Sequence, residues 1–201
     1  MRIRVFLIAV LMTTSGCAIN QGTAMRYNQL GVQAERAENY TLAESNFEKS
    51  LLNAELAHSD AHISAAKYNL GRIKGYLCKY DDAEKLLIES LKLEETVTGP
   101  DSGSMAMRFL ELARLQYDRE RFGESVPYYR KGIAVAKKIG VATEDPIALA
   151  NIVDEFSTAL TKTGEVSEAV AAAADAKDLR DRNAGARARF VPVRYPKSCS
   201  R

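Results

Sequence analysis

His58 and His62 stand four positions apart, a spacing that puts two imidazoles on one helix face and could begin a metal site. No third histidine exists, Asp60 falls on another face, and the pair straddles an expected turn. Both are therefore read as solvated or capping side chains, and no metal is expected. Cys78 lacks the Cys-x-x-Cys neighbour of a redox motif. The carboxylate pairs Glu94-Glu95 and Asp154-Glu155 look like ordinary polar helix faces, and no Ser-His-Asp set, phosphate loop or zinc pattern accompanies them. The expectation is a protein without catalysis or cofactor.

Cys17 carries a different chemistry. Arg2 and Arg4 precede an apolar run over residues 5–12, followed by small and hydroxyl residues up to Gly16. That is a charged start, a short apolar core and a cleavable neck. The run is shorter than the roughly 20 residues a membrane-spanning helix needs. Ser15, Gly16 and Cys17 resemble the lipobox of bacterial lipoproteins, although Thr14 stands where that family prefers Leu or another aliphatic residue. The resemblance implies a signal peptide over 1–16, cleavage before Cys17, and a cysteine carrying acyl chains of the palmitate class, a durable anchor at about 0.8 kcal/mol per buried methylene. Ala18 replaces the Asp that resembles an inner-membrane retention signal, which points to the periplasmic face of an outer membrane. Two alternatives stay open. A standard signal peptidase reading Gly16-Cys17-Ala18 would release a soluble periplasmic chain starting at Ile19, and a misleading start would leave the protein in the cytoplasm.

The chain holds 28 Lys and Arg against 26 Asp and Glu, and Arg2 and Arg4 are the only charges before residue 17, so the mature chain is nearly neutral. The balance is uneven, because residues 180–201 hold seven basic side chains and one acidic one. A basic tail thus follows a mildly acidic body long enough for one substantial core. With Cys17 lipidated, Cys78 and Cys199 remain as a candidate disulfide in an oxidising compartment; the alternative is a buried Cys78 and a free Cys199.

The elements that position these residues are legible as a repeat. From residue 23 to about 182 the chain is rich in Ala, Leu, Glu, Lys and Arg, with Pro only at 100, 127 and 146, which favours an all-helical body. Four stretches align. A large apolar residue adjoins a small one at Leu30-Gly31, Leu70-Gly71, Leu112-Ala113 and Phe156-Ser157. Twelve residues later comes another small residue, Ala43, Ala83, Ser125 or Ala169. Four further on stands Phe47, Leu87, Tyr129 or Ala173, then Ser50, Ser90, Gly132 or Ala176. Small residues let antiparallel helices approach closely while the bulky one fills the gap, so the pattern describes a repeated helical hairpin.

This pattern resembles the tetratricopeptide repeat family, most clearly in the first two repeats; the third has Ala113 for Gly and the fourth is degenerate. The repeat spacings of 40, 42 and 44 exceed the family's usual 34, implying longer helices or loops. The resemblance implies an all-α, right-handed α-α superhelix, a TPR-like solenoid of about four helical hairpins whose first helices line a concave surface. Breakers place the helices at 23–38, 41–57, 61–78, 80–97, 103–119, 122–139, 147–162 and 166–182, with residues 17–22 as a short tether and 183–201 as an extended basic tail. Pro127 is expected in the first turn of its helix.

Carried onto this chain, the family's inward-facing positions fall at Asn28, Val32 and Glu35; at Tyr68, Arg72, Gly75 and Tyr76; at Leu110, Arg114 and Tyr117; and at Asp154, Thr158 and Thr161. The resemblance implies a protein-binding groove with Asn28, Tyr68, Arg72, Arg114, Tyr117 and Asp154 as its leading residues. Tyr68 and Tyr117 could instead complete packing between hairpins. Asn28, Arg72 and Arg114 keep only part of the family's clamp for a terminal carboxylate, so that ligand class is not carried over. In the tail, Phe190, Val191, Val193 and Tyr195 can pack on the last hairpin or on a partner, and the positive charge can meet lipid headgroups, peptidoglycan or the acidic body itself.

The sequence thus predicts a non-catalytic, lipid-anchored adaptor binding an envelope protein or peptide, with no nucleic-acid role. The alternatives are a structural subunit of a secretion, pilus or outer-membrane biogenesis assembly, and a peptidoglycan-contacting accessory module of an envelope enzyme.

Overall fold

The computed structural model describes the backbone of residues 3–192 and 194–196, with side chains from residue 18 onward. Among these residues the regular structure is entirely helical: α1 (Ile3–Arg36), α2 (Tyr40–Leu56), α3 (Asp60–Tyr76), α4 (Tyr80–Thr98), α5 (Gly103–Asp118), α6 (Phe122–Lys138), the single turn α7 (Val141–Glu144), α8 (Pro146–Thr163) and α9 (Val166–Arg182). The chain divides into two compact units, Met1–Val97 and Thr98–Arg201. No helix among the described residues is long and apolar enough to cross a membrane.

Most corners are built alike. In the first unit the helices end on Glu38, His58 and Cys78, all with positive φ; in the second, Glu120 and Gly164 do the same. Each takes the left-handed position of a Schellman cap. The Asn39 N–H donates to the Ala34 carbonyl, Ser59 to Ala54, Lys79 to Lys74, Arg121 to Gln116 and Glu165 to Leu160. Asn39 then caps α2, its side chain accepting from the Leu42 N–H at 3.1 Å.

Hairpin packing follows the small-and-bulky pattern. A Cβ placed on Gly31 would lie 2.5 Å from the Phe47 ring, and one on Gly71 would lie 2.9 Å from Leu87. Those glycines let the paired helices approach. The second small residue adds a hydrogen bond: Ser50 Oγ donates to the Ala24 carbonyl at 2.9 Å, and Ser90 Oγ to the Ser64 carbonyl at 2.8 Å. In the second unit Gly132 accommodates Leu110 in the same way, so Leu110 serves hairpin packing. Around it the core gathers Tyr129, Leu149, Val153, Phe156 and Leu160 with the alanines of α9.

Three local expectations change. Residues 18–22, expected as a tether, continue α1 backwards, because Gly22 is the one weak helix former there and its cost of about 1 kcal/mol does not interrupt a long helix. The connection before Pro146 contains α7. Pro127 is the sixth residue of α6, beyond the first turn, so the helix gives up one internal hydrogen bond there.

Candidate functional site

In the first unit, α1 and α3 bring polar and aromatic side chains together. The Arg72 guanidinium pairs with Glu35 and lies over the rings of Tyr68 and Tyr76, 5.6 and 5.9 Å from their centroids. Tyr76 stacks at a tilt on Tyr40, 5.1 Å away. Asn69 donates to Asn28 Oδ1 at 2.8 Å, which ties α3 to α1 beside this cluster. Two residues beyond Arg72, Lys74 together with Lys79 clamps Glu44 of α2 at 2.8 and 2.7 Å. Burial alone would raise the Glu44 pKa; the two lysine hydrogen bonds outweigh it and hold the carboxyl below its ordinary value.

The second unit holds the denser site. Glu111, Arg114 and Asp118 follow one another at helical spacing on α5, so one face carries three buried charges. Arg114 is only 2% exposed and pairs with Glu111 at 3.2 Å. Its pKa is raised: burial opposes the charge, but Glu111 and Glu155 outweigh that opposition. Tyr129 of α6 donates to Glu155 Oε2 of α8 at 2.6 Å, and burial, reinforced by that carboxylate, pushes the phenol well above its usual pKa.

Across this face runs the chain's own tail. Arg194 bridges Asp118 and Glu155, and its guanidinium lies 5.2 Å from the centroid of the Tyr117 ring. The Tyr195 N–H donates to Asp118 Oδ2 at 2.8 Å, while its hydroxyl donates to Glu111 Oε1. Upstream, the Arg189 and Phe190 N–H groups donate to Asp145 Oδ2 at 3.1 and 3.0 Å. Asp145 also caps α8. Burial raises the Asp118 pKa above its ordinary value, and the Tyr195 N–H and Arg194 only partly offset this. Tyr195 is 2% exposed, whereas Phe190 and Val191 are 52% and 73% exposed beside a cavity of about 300 Å³ against Ala148, Asn151 and Ile152 of α8.

The groove residues expected from sequence therefore fall in two places. Asn28, Tyr68 and Arg72 belong to the first-unit cluster, together with Glu35 and Tyr76. Arg114 lies beneath the tail, and Tyr117 packs edge-on against Phe122 and Tyr129 at 5.4 and 6.0 Å. Asp154 pairs with Arg180 of α9. His58 occupies a left-handed corner, and Ser59 and His62 Nδ1 share a hydrogen bond of 2.7 Å. Among the described residues no group of three or more His, Cys, Asp or Glu is placed to hold a metal ion. Cys78 is disulfide-bonded. Its expected partner Cys199 lies outside the described residues, as does the Cys17 side chain.

Glu111, Asp118, Asp145 and Arg194 were not singled out from the sequence, and Glu155, read there with Asp154 as an ordinary polar face, instead joins Tyr129 and Arg194. The available signal was a run of charges on the core-facing side of α5, unusual because buried charges need partners.

The tetratricopeptide repeat model matches residues 62–138. No curated protein matches the sequence. Among solved structures, BtubC (BKLC) from P. vanneervenii superposes with a TM-score of 0.74 at 21% identity, over 88% of this chain and 68% of that one. A P. anserina protein described as a kinesin light chain with nearly identical TPR-like repeats gives 0.63 at 16% identity, over 90% and 89%. Aspartyl phosphate phosphatase F from Bacillus subtilis gives 0.56 at 15% identity, over 88% and 54%. At such identities the likeness shows the fold alone: an all-helical, TPR-like hairpin architecture.

Proposed function

We propose that this chain is a non-catalytic protein–protein interaction adaptor of the bacterial envelope, anchored through lipid on Cys17 at the periplasmic face of the outer membrane. The observation that carries the binding part is the seating of an extended segment on α5 and α8. Main-chain N–H groups meet Asp118 and Asp145 while an arginine and a tyrosine fill polar positions. A face able to hold one extended peptide by such contacts has the chemistry to hold others, and helical hairpins supply a rigid platform whose surface can vary without disturbing the contacts between them. Support for the anchor comes from the leader and the Ser15-Gly16-Cys17 ending.

Crosslinking in the native envelope, followed by identification of the attached polypeptide, tests the adaptor reading. A defined protein partner is expected, and co-sedimentation with purified peptidoglycan in the absence of protein adducts would favour the accessory-module alternative. Replacing Cys17 with Ser should release the chain from membranes washed at high salt; unchanged association would reject the lipid anchor.

A further inference from the structure

The tail's contacts are those of a ligand. An extended strand without regular structure is held by a bridging arginine, a buried tyrosine and three main-chain N–H groups, all directed at carboxylates of the helical body. Remove it, and Asp118 and Glu155 lose the guanidinium that bridges them beside the Glu111–Arg114 pair, and Asp118 loses a main-chain N–H as well; with the tail seated, the Asp118 side chain is only 2% exposed. Buried carboxylates are costly unless paired and hydrogen-bonded. Any segment that covers this face must therefore be cationic and donor-rich. Arginine suits it better than lysine, because a planar guanidinium can bridge two carboxylates and lie against the Tyr117 ring at once. A tyrosine directly after that arginine is also specified, since the same residue presents its N–H to Asp118 and its hydroxyl to Glu111.

Resting on the adaptor reading above, we propose that this acidic face is a binding site for an extended protein segment carrying consecutive Arg and Tyr. Residues 189–192 and 194–195 are its built-in occupant, which a partner segment must displace. The occupant does not bury all of its apolar surface. Phe190 and Val191 stay exposed beside the cavity against α8, so the upstream part of the tail is held mainly through Asp145 and offers a point at which displacement can begin.

The test uses the full-length protein and a fluorescent synthetic peptide of residues 186–196, ARARFVPVRYP. Reductant is present throughout, because the disulfide at Cys78 is expected to involve Cys199. Anisotropy titrations compare the wild type with Arg194→Glu and Tyr195→Ala, which weaken the tethered tail and leave the face intact. A tether supplying an effective concentration of about 1 mM should weaken peptide binding to the wild type by roughly 10-fold or more relative to the opened variants. Adding Asp118→Asn to Arg194→Glu should then abolish the gain. Hydrogen exchange on the unmodified protein requires no variant to fold: excess peptide should speed exchange of the Phe190 and Tyr195 amides.

Equal binding to wild type and opened variants, with no faster exchange, would overturn the built-in occupant while leaving the adaptor reading in place. Absence of binding to every form, again with unchanged exchange, would remove this face from both. Tail-exchanged dimers of the wild type would assign the face to a second copy of the chain and overturn its assignment to a foreign segment.

Discussion

Gly31→Ala tests the physical basis of the repeat. The added methyl group would meet three Phe47 ring atoms at 2.5, 2.7 and 2.8 Å, and Phe47 is fully buried, so the ring cannot swing into solvent. Overpacking of this kind costs about 1–3 kcal/mol. Alanine returns about 1 kcal/mol through its better helix propensity. The net expectation is a loss of up to about 2 kcal/mol, a fall in Tm of up to about 8 °C for a chain of this size. Gly123→Ala is the control, because no atom lies within 4 Å of its added Cβ, and the same change there should be neutral or stabilising. Thermal unfolding followed by circular dichroism reads both. Equal Tm values for the two variants would refute the claim that Gly31 is required by close helix approach.

Glu44→Gln should lower stability at neutral pH by about 1 kcal/mol, as Lys74 and Lys79 lose their shared carboxylate. Because the folded-state pKa of Glu44 is depressed, the wild-type advantage should be complete above the carboxyl's ordinary value and fade as pH falls through the depressed one; denaturant melts against pH check this. The Gln116 side-chain amide is fully buried, and neither its oxygen nor its nitrogen has a hydrogen-bond partner among the described residues. Gln116→Met should therefore be neutral or stabilising by up to about 2 kcal/mol in urea melts, and a clear loss would show that the amide is satisfied. Glu120→Gly should raise the Tm, since a left-handed φ of 61° costs a residue with a Cβ about 1 kcal/mol more than glycine.

The helices were legible because their signals are local. Ala-rich runs, Asn39, Gly164 and Asp145-Pro146 lie within a few residues of the boundaries they set, and the pairing of Gly31 with Phe47 spans only one hairpin. The corners at Glu38, His58, Cys78 and Glu120 were less so, since these residues take a conformation that their type does not favour and the surrounding helices impose it. The expectation that the tail meets the acidic body gave the sign of the contact, but could not locate it. Tyr195 reaches Glu111 across 84 positions, and Arg194 joins carboxylates from two different helices. Such a convergence leaves no periodic trace in a single sequence. The first-unit cluster was partly readable, because Glu35, Arg72 and Tyr76 all fall among the inward-facing positions that the repeat register implies. Arg114 illustrates the limit: the repeat register placed it on the expected helix, while its burial depends on Glu111, Glu155 and the tail.

The adaptor reading is tested most directly by placing a photocrosslinking amino acid at position 151, which is exposed on α8 beside the tail, in cells that make the full chain. The account predicts a covalent adduct with another polypeptide, mapped by mass spectrometry to an extended segment containing Arg and Tyr, and lost when Asp118 is changed to Asn. Adducts confined to the chain's own tail under every growth condition, or foreign adducts indifferent to Asp118, would contradict it.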